Sequence, residues 1–210
     1  MTDLNNLYDA IVNGNLELSI KTTKSALDEG FDPKTIINDF MIPAMDKIGG
    51  MFEDCEVFVP ELLMAARAMK GSLGLVQPLL TAKGAESKGK IIIGTVQGDL
   101  HDIGKNIVGS MLEGAGFEVI NLGNDVSPQK FTDAIKTHKP QIVALSALLT
   151  TTMTAMETVI KTINDAGLRD RVKIMIGGAP VTANFSERIG ADGYSDNANG
   201  AVKLARELVN

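Results

Sequence analysis

The first 87 residues place apolar side chains every three or four positions, the period of helices that bury one face. Four such segments are predicted: NNLYDAIVNG, LELSIKTTKSALDEG, KTIINDFMIPAMDKIGGMF and VPELLMAARAMKGSLGLVQPLL. Pro43 falls inside the third segment and predicts a kink or a break there. Pro60 and Glu61 suit the first turn of the fourth helix. The pattern therefore predicts a small helical bundle.

The pattern changes after TAKGAESKGK at 81–90, a polar segment that we interpret as an exposed linker. Short β-branched runs then alternate with helical stretches near 104–115, 128–138, 153–166 and 181–189. These runs are KIIIGTV, FEVINLG, QIVALSA, VKIMIGG and the weaker ADGYSD, which precedes a last helix in NGAVKLARELV. Apolar strands separated by helices predict an α/β domain over 88–210, with a five-stranded parallel sheet of flavodoxin-like (Rossmann-type) order. Ligands bind such sheets at the carboxyl ends of the first and third strands, here QGDLHDIG and SALLTTT.

Composition and charge exclude several classes of function. Residues 1–87 hold 13 acids against 7 Lys and Arg, and so carry the whole net charge of −6. Nucleic acid is therefore not an expected partner. Apolar runs are too short to span a membrane and the first residues do not resemble a signal peptide, so we expect a cytoplasmic protein. Cys55 is the single cysteine, which excludes an intramolecular disulfide and a cysteine-based metal cluster.

QGDLHDIG places Asp99, His101 and Asp102 where a buried strand should end. A polar turn, with Asp102 capping a helix from Ile103, would explain these residues without any ligand. A dinucleotide site is disfavoured because the loop lacks the G-x-G-x-x-G glycines. A phosphoacceptor site needs a lone Asp after a middle strand and acidic neighbours earlier, and neither is present. The residues by themselves leave a structural turn and a ligand site open.

Three motifs follow predicted strands: Asp99-Leu100-His101-Asp102-Ile103-Gly104, Ser146-Ala147-Leu148 with Thr150, and Gly177-Gly178. Together they resemble the D-x-H-x-x-G, S-x-L and GG motifs of cobalamin-binding proteins. The chain is similar in particular to corrinoid proteins of methyltransferase systems for methylamines, methanol or betaines, and to the cobalamin domain of methionine synthase. The helical half, with EVFVPELLMAARAMK, resembles the four-helix cap domain of that family. The resemblance thus covers nearly the whole chain and implies a four-helix cap followed by the sheet domain.

The resemblance implies that cobalamin binds with its benzimidazole displaced and with His101 as the lower ligand of cobalt. Asp99 would accept the other ring N–H of this histidine, which fixes the tautomer and strengthens the nitrogen donor. The Asp99–His101 pair would take up a proton when cobalt is reduced. Asp102 and Ile103 lie in the same loop and are expected to contact the cofactor.

The displaced tail would need a slot in the sheet. The resemblance assigns to it Gly104, which lets the tail pass, and the hydroxyls of Ser146 and Thr150, with Leu148 between them. Gly177 and Gly178 would leave room for the ring. Methionine synthase has a serine six residues after its S-x-L serine, and this chain has Thr152 there, whose hydroxyl can make the same bond to Asp99 with a stiffer χ1.

The large apolar side chains of the helical half are expected mostly in its core: Met41, Met45, Met51, Phe52, Phe58, Leu63, Met64 and Met69. A subset should face the corrin in a cap of this family, and the candidates are Phe58, Leu62 and Leu63.

The function implied by the resemblance is that of a corrinoid methyl carrier. Co(I) would take a methyl group from a substrate:corrinoid methyltransferase, and methyl-Co(III) would pass it to a second methyltransferase acting on tetrahydrofolate or coenzyme M. A reductive activation protein would be a further partner. The chain would be a subunit of this enzyme system, and its sequence does not indicate the methyl donor. A B12-sensing regulator would need a basic helix-turn-helix, and a mutase B12 subunit would use adenosylcobalamin and usually lacks the bundle.

Overall fold

A computed structural model describes residues 2–82 and 88–209. Two compact units are distinguished: a helical unit up to residue 82 with Glu113–Gly116, and a sheet unit of Lys88–Leu112 with Phe117 to residue 209. The centre of the predicted linker, residues 83–87, lies outside the described residues. Within the described ranges, no helix is both long enough and apolar enough to cross a membrane.

The helical unit is built from amphipathic helices that turn their apolar sides inward. The elements are α1 (Asn5–Val12), α2 (Leu16–Asp28), α3 (Pro33–Thr35), a π-helical segment (Ile36–Met41), α4 (Ile42–Glu53) and α5 (Val59–Ala82). Side chains satisfy backbone N–H groups at two helix starts, where Asn15 accepts from Leu18 and Asp32 accepts from Thr35. The interior includes Leu7, Ile11, Met41, Met45, Ile48, Leu62 and Met69.

The sequence predicts a kink or a break at Pro43, and the break is wrong. The backbone stays helical from Pro33 to Glu53, and the irregularity is the π-helical segment Ile36–Met41 just before Pro43. A proline ring crowds the carbonyl four residues back and has no N–H to donate. The wider turn before Pro43 accommodates this crowding and keeps the chain helical.

The sheet unit confirms the predicted α/β architecture. Its strands are β1 (Lys90–Thr95), β2 (Glu118–Asn121), β3 (Ile142–Ser146), β4 (Lys173–Gly177) and β5 (Gly193–Tyr194). Its helices are α6 (Ile103–Gly114), α7 (Pro128–His138), α8 (Met153–Asp165), α9 (Ala183–Ile189) and α10 (Ala198–Leu208), with a 3-10 turn at Arg169–Arg171. All strand pairs are parallel and the order is β2-β1-β3-β4-β5, the flavodoxin-like order.

The register of the sheet brings the three sequence motifs together at one edge. Thr95 at the end of β1 lies opposite Ser146, and Ser146 lies opposite Gly177. One face of the sheet carries a continuous apolar core that includes Ile92, Val143, Ile174, Phe131, Ile160 and Phe185. This packed core holds the strand ends rigidly, so the loops that follow β1, β3 and β4 are presented by a fixed frame.

Candidate functional site

The loop after β1 turns the chain so that Asp99 points into the protein. Gly98 has φ +85°, a conformation that glycine adopts without a steric cost, and the Asp99 N–H donates to the Val96 carbonyl at 3.1 Å. Asp99 is 0% exposed. A carboxyl group in such a position needs several hydrogen-bond donors, since an unpaired buried charge is costly.

Both oxygens of the Asp99 carboxylate are occupied. Oδ1 accepts from the His101 ring at Nδ1 (2.7 Å) and from the His101 backbone N–H (3.0 Å). Oδ2 accepts from the Leu148 backbone N–H and from the Thr152 hydroxyl, each at 2.7 Å. The structure therefore places the predicted aspartate and histidine in direct contact. It also brings Thr152, which follows β3, to the same carboxylate.

Hydrogen bonding keeps Asp99 ionised despite its burial. Burial by itself raises the pKa of this carboxyl, but the bonds from Leu148, Thr152 and His101 outweigh it and hold the pKa well below its ordinary value. An ionised carboxylate only accepts hydrogen bonds, so His101 Nδ1 must carry the proton between them. In the neutral imidazole, Nε2 then keeps a free lone pair.

The His101 ring is open to solvent, and several residues near it along the chain or in the loop after β3 are exposed and apolar. The His101 side chain is 51% exposed, although its partner Asp99 is buried. Leu100 and Ile103 beside it are 70% and 75% exposed, and Leu148 and Leu149 are also exposed. Exposed apolar side chains around one nitrogen donor are typical of a ligand site.

In the glycine pair at the end of β4, Gly178 is required by the packing of the chain itself. Gly178 has φ +134°, and a Cβ built there would lie 1.9 Å from the Ala147 carbonyl oxygen. Only glycine allows the chain after β4 to pass so close to the end of β3. Gly104, by contrast, borders open space, with no atom within 4 Å of a built Cβ.

Family models for the B12 binding domain match residues 89–203 and residues 3–77. The trimethylamine corrinoid protein 1 of Methanosarcina acetivorans is 41% identical over 96% of this chain and 94% of its own length. This chain is a member of the corrinoid protein family.

Two solved structures support the family assignment across both units of the chain. A cobalamin-binding protein from Desulfitobacterium hafniense DCB-2 is 34% identical, with a TM-score of 0.82 and full coverage of both chains. The methanol:cobalamin methyltransferase complex of Methanosarcina barkeri contains a chain that is 28% identical, with a TM-score of 0.85 over 98% of this chain and 79% of that one.

The residues present fit a corrinoid. One exposed imidazole offers one nitrogen, which is what an axial ligand of a metal already held by a macrocycle requires. Across residues 2–82 and 88–209, no three His, Cys, Asp or Glu side chains converge as a metal site. Ser146 is partly buried and Thr150 is exposed, and within the same ranges neither hydroxyl has a hydrogen-bond partner. Both are thus free to bind a corrinoid tail.

Within the described residues, Asp102 does not cap the helix that begins at Ile103 with its side chain, although the structural interpretation of this loop would require that. Its backbone carbonyl accepts from the Asn106 N–H at 2.8 Å, but its side chain caps no helix N–H in the part of the chain that is described. The start of α6 is therefore not explained by an aspartate cap. The Asp102 charge acts instead on buried Lys105, where it raises a pKa that burial lowers more strongly.

The three predicted corrin contacts of the helical unit differ in their exposure to solvent. Phe58 is 68% exposed and Leu63 is also exposed, so both side chains are available to a ligand. Leu62 is 0% exposed, and its prediction as a corrin contact is wrong because it lies on the inner face of α5. The expectation that Phe58, Leu63 and Met64 belong to the core is also wrong, since all three side chains are exposed.

Sequence reasoning missed a polar cluster around the loop after β2. Lys105, Asn106 and Asn121 form hydrogen bonds with one another. Asn124 and Asp125 bond to the backbone of residues 97–102, the loop between β1 and α6 that is called here the histidine loop. The available signal was the polar run NLGND directly after a strand, which is more often an ordinary turn.

Proposed function

We propose that the protein is a methyl carrier that binds cobalamin with its benzimidazole displaced and with His101 Nε2 as the lower ligand of cobalt. One observation carries this assignment: His101 is exposed on one side and donates from Nδ1 to a buried, ionised Asp99 at 2.7 Å. Cobalamin, when bound, supplies a cobalt that takes up a methyl group from one reaction partner and releases it to another.

The residues around His101 hold it as a nitrogen ligand. Asp99 keeps the proton on Nδ1, so that Nε2 presents its lone pair, and the carboxylate makes the imidazole a stronger donor. Leu148 N–H and the Thr152 hydroxyl fix the carboxylate from the β3 side.

The remaining candidates hold the other parts of the cofactor. Gly104, Ser146, Thr150 and Gly177 bind the displaced tail, and Gly178 sets the backbone beside it. Supporting observations are the open space at Gly104 and the unpaired hydroxyls of Ser146 and Thr150 within the described residues. In the helical unit, exposed Phe58 and Leu63 offer apolar surface to the corrin.

The names of two relatives support the first of the proposed partners, a methyltransferase. One relative is a trimethylamine corrinoid protein, and one structural neighbour belongs to a methanol:cobalamin methyltransferase complex. This chain accordingly works with a substrate:corrinoid methyltransferase that delivers the methyl group. A second methyltransferase, acting on tetrahydrofolate or coenzyme M, removes it, and a reductive activation protein restores the carrier.

Transfer from the loaded protein tests the function. Full-length protein carrying methylcobalamin is mixed with a cell extract or purified methyltransferases and with tetrahydrofolate or coenzyme M. We expect methyl-tetrahydrofolate or methyl-coenzyme M to accumulate, because the proposed carrier gives up its methyl group to a partner enzyme. Cobalamin-free protein in the same mixture is the control. Tight binding without transfer to either acceptor would instead support a B12-sensing module.

The role of Asp99 can be measured as a reduction potential. Asp99→Asn removes the negative charge that strengthens the imidazole, so we expect a weaker Co–N bond and a less negative Co(II)/Co(I) midpoint potential. Changes at such partners of a metal ligand typically cost about 10–100-fold in metal affinity or activity. Spectroelectrochemical titration gives the potential, with Asp133→Asn on the exposed side of α7 as control. An unshifted midpoint potential would contradict the proposal that the Asp99 charge strengthens His101 as a ligand.

A further inference from the structure

We propose that Asp125 is a positioning residue for His101, and that buried Lys105 anchors the loop that carries it. This loop begins at the last residue of β2 and ends before α7. It comprises residues 121–126 and is called here the bracing loop. The proposal rests on the proposed function, because it concerns how accurately the nitrogen ligand is aimed.

Asp125 forms hydrogen bonds with the backbone on both sides of the Gly98–Asp99 peptide bond. Its carboxylate Oδ1 accepts from the Gly98 N–H at 2.8 Å, and its own N–H donates to the Asp99 carbonyl at 3.0 Å. The two contacts hold the peptide groups on either side of the Gly98–Asp99 bond, Gln97–Gly98 and Asp99–Leu100, and so limit the rotation of the peptide between them. Since the Asp99 carboxylate in turn binds the His101 ring, a rotation of this peptide would move the imidazole.

The residues on either side of Asp125 form further hydrogen bonds with the end of β1 and with the histidine loop. Asn124 Nδ2 donates to the Leu100 carbonyl at 3.1 Å, and the Val126 N–H donates to the Thr95 carbonyl at 3.0 Å. Gly98, Asp99 and Leu100 are thus held in succession by side-chain and backbone groups of Asn124 and Asp125. The residue that follows them is His101.

Lys105 fixes the start of the bracing loop. It is 3% exposed, and its Nζ donates to Asn121 Oδ1 at 2.8 Å and to Asn106 Oδ1 at 2.6 Å. Asn121 Oδ1 also accepts from the Gly123 N–H at 3.0 Å, and Asn121 Nδ2 donates to Asn106 Oδ1 at 3.0 Å. Burying an ammonium on neutral amides is costly, and the network ties the bracing loop to α6, which follows directly on the histidine loop.

Aspartate at 125 meets two requirements at once. Its φ of +50° lies in the left-handed region, where asparagine, aspartate and glycine are the residues best tolerated. Its side chain must also reach the Gly98 N–H as an acceptor. Glycine satisfies the first requirement only, whereas asparagine satisfies both, so two substitutions separate backbone conformation from side-chain bonding.

The cobalamin-free protein gives the first test. The His101 Nδ1–H proton, held by Asp99, is followed by NMR, and its exchange with water reports how firmly the ring is held. We expect Asp125→Gly to speed this exchange about tenfold, the equivalent of one lost hydrogen bond. Asp125→Asn should restore the slow exchange, and Asp170→Gly, at an exposed aspartate of the sheet unit, should leave it unchanged.

The loaded protein gives the second test, by the nitrogen splitting in the EPR spectrum of its Co(II) form. We expect Asp125→Gly to show a mixture of nitrogen-ligated and unligated cobalt, with Asp125→Asn and Asp170→Gly like the wild type. Unchanged Nδ1–H exchange and unchanged splitting in Asp125→Gly would overturn the positioning role. A wild-type spectrum without protein nitrogen would overturn the proposed function instead, and the exchange measurement would then decide the positioning role by itself.

Discussion

His101→Ala should still bind cobalamin but lose the protein nitrogen from cobalt. The proposed tail contacts at Gly104, Ser146 and Thr150 are separate from the histidine, so the tail keeps its site. The substitution replaces the imidazole by the methyl side chain of alanine. The protein thereby loses Nε2, the ring nitrogen that is not bonded to the buried Asp99. Leu100, Asp102 and Ile103 beside it carry no side-chain nitrogen that could replace it.

The EPR spectrum of the Co(II) form measures this loss directly. Wild-type protein should show superfine splitting from a single nitrogen, and growth on ¹⁵N-histidine should change that pattern because the nuclear spin changes. His101→Ala should show no splitting from protein nitrogen. His138→Ala, at the chain's second histidine, is the matched control and should retain it. Unchanged splitting in His101→Ala would contradict the ligand assignment.

The sheet and the place of the site could be predicted because they depend on short-range patterns. β-branched runs such as KIIIGTV and QIVALSA read as buried parallel strands, and the flavodoxin-like order puts the ends of β1 and β3 together. A spacing of two residues lets Asp99 reach the ring of His101 and the backbone N–H of the same residue. The family motif then pointed to Thr152, whose hydroxyl does lie on the carboxylate.

Helix phase and loop pairing could not be predicted in the same way. Leu62 and Leu63 are adjacent and equally apolar, and only the packing of α5 decides that one is buried and the other exposed. Asp125 acts on Gly98 across 27 residues, through a left-handed backbone conformation that its sequence does not require. Lys105 would ordinarily be read as a surface lysine, since its burial depends on amides that the bracing loop supplies.

Asp99→Ala is expected to lower the free energy of unfolding of the sheet unit by about 3–5 kcal/mol, because several buried or partly buried hydrogen bonds lose their acceptor at once and each unsatisfied group costs about 1–3 kcal/mol. The donors are the Leu148 and His101 N–H groups and the Thr152 hydroxyl. Asp99→Asn keeps one acceptor oxygen but turns an NH₂ toward the His101 N–H. Its loss should therefore be smaller.

Tyrosine emission isolates the sheet unit in this measurement. The chain has no tryptophan and two tyrosines, Tyr8 in α1 and Tyr194 in β5. In a Tyr8→Phe background, urea unfolding followed at Tyr194 reports on the sheet unit. Thr152→Val, which removes one donor and leaves the carboxylate with its others, is the matched variant and should cost less than Asp99→Ala.

The pH dependence of stability tests whether hydrogen bonds hold the pKa of the buried Asp99 carboxyl below its unfolded value. The pKa of Asp99 is lowered in the folded protein, so its stabilising contribution is complete above the unfolded value of about 4 and is lost as the pH falls toward the folded value. The stability difference between the Tyr8→Phe protein and its Asp99→Asn variant should therefore be constant above about pH 5 and shrink below about pH 4. A difference that stays constant down to about pH 3 would mean that the pKa of Asp99 is not depressed. The hydrogen bonds from Leu148, Thr152 and His101 would then only offset the effect of burial on this pKa.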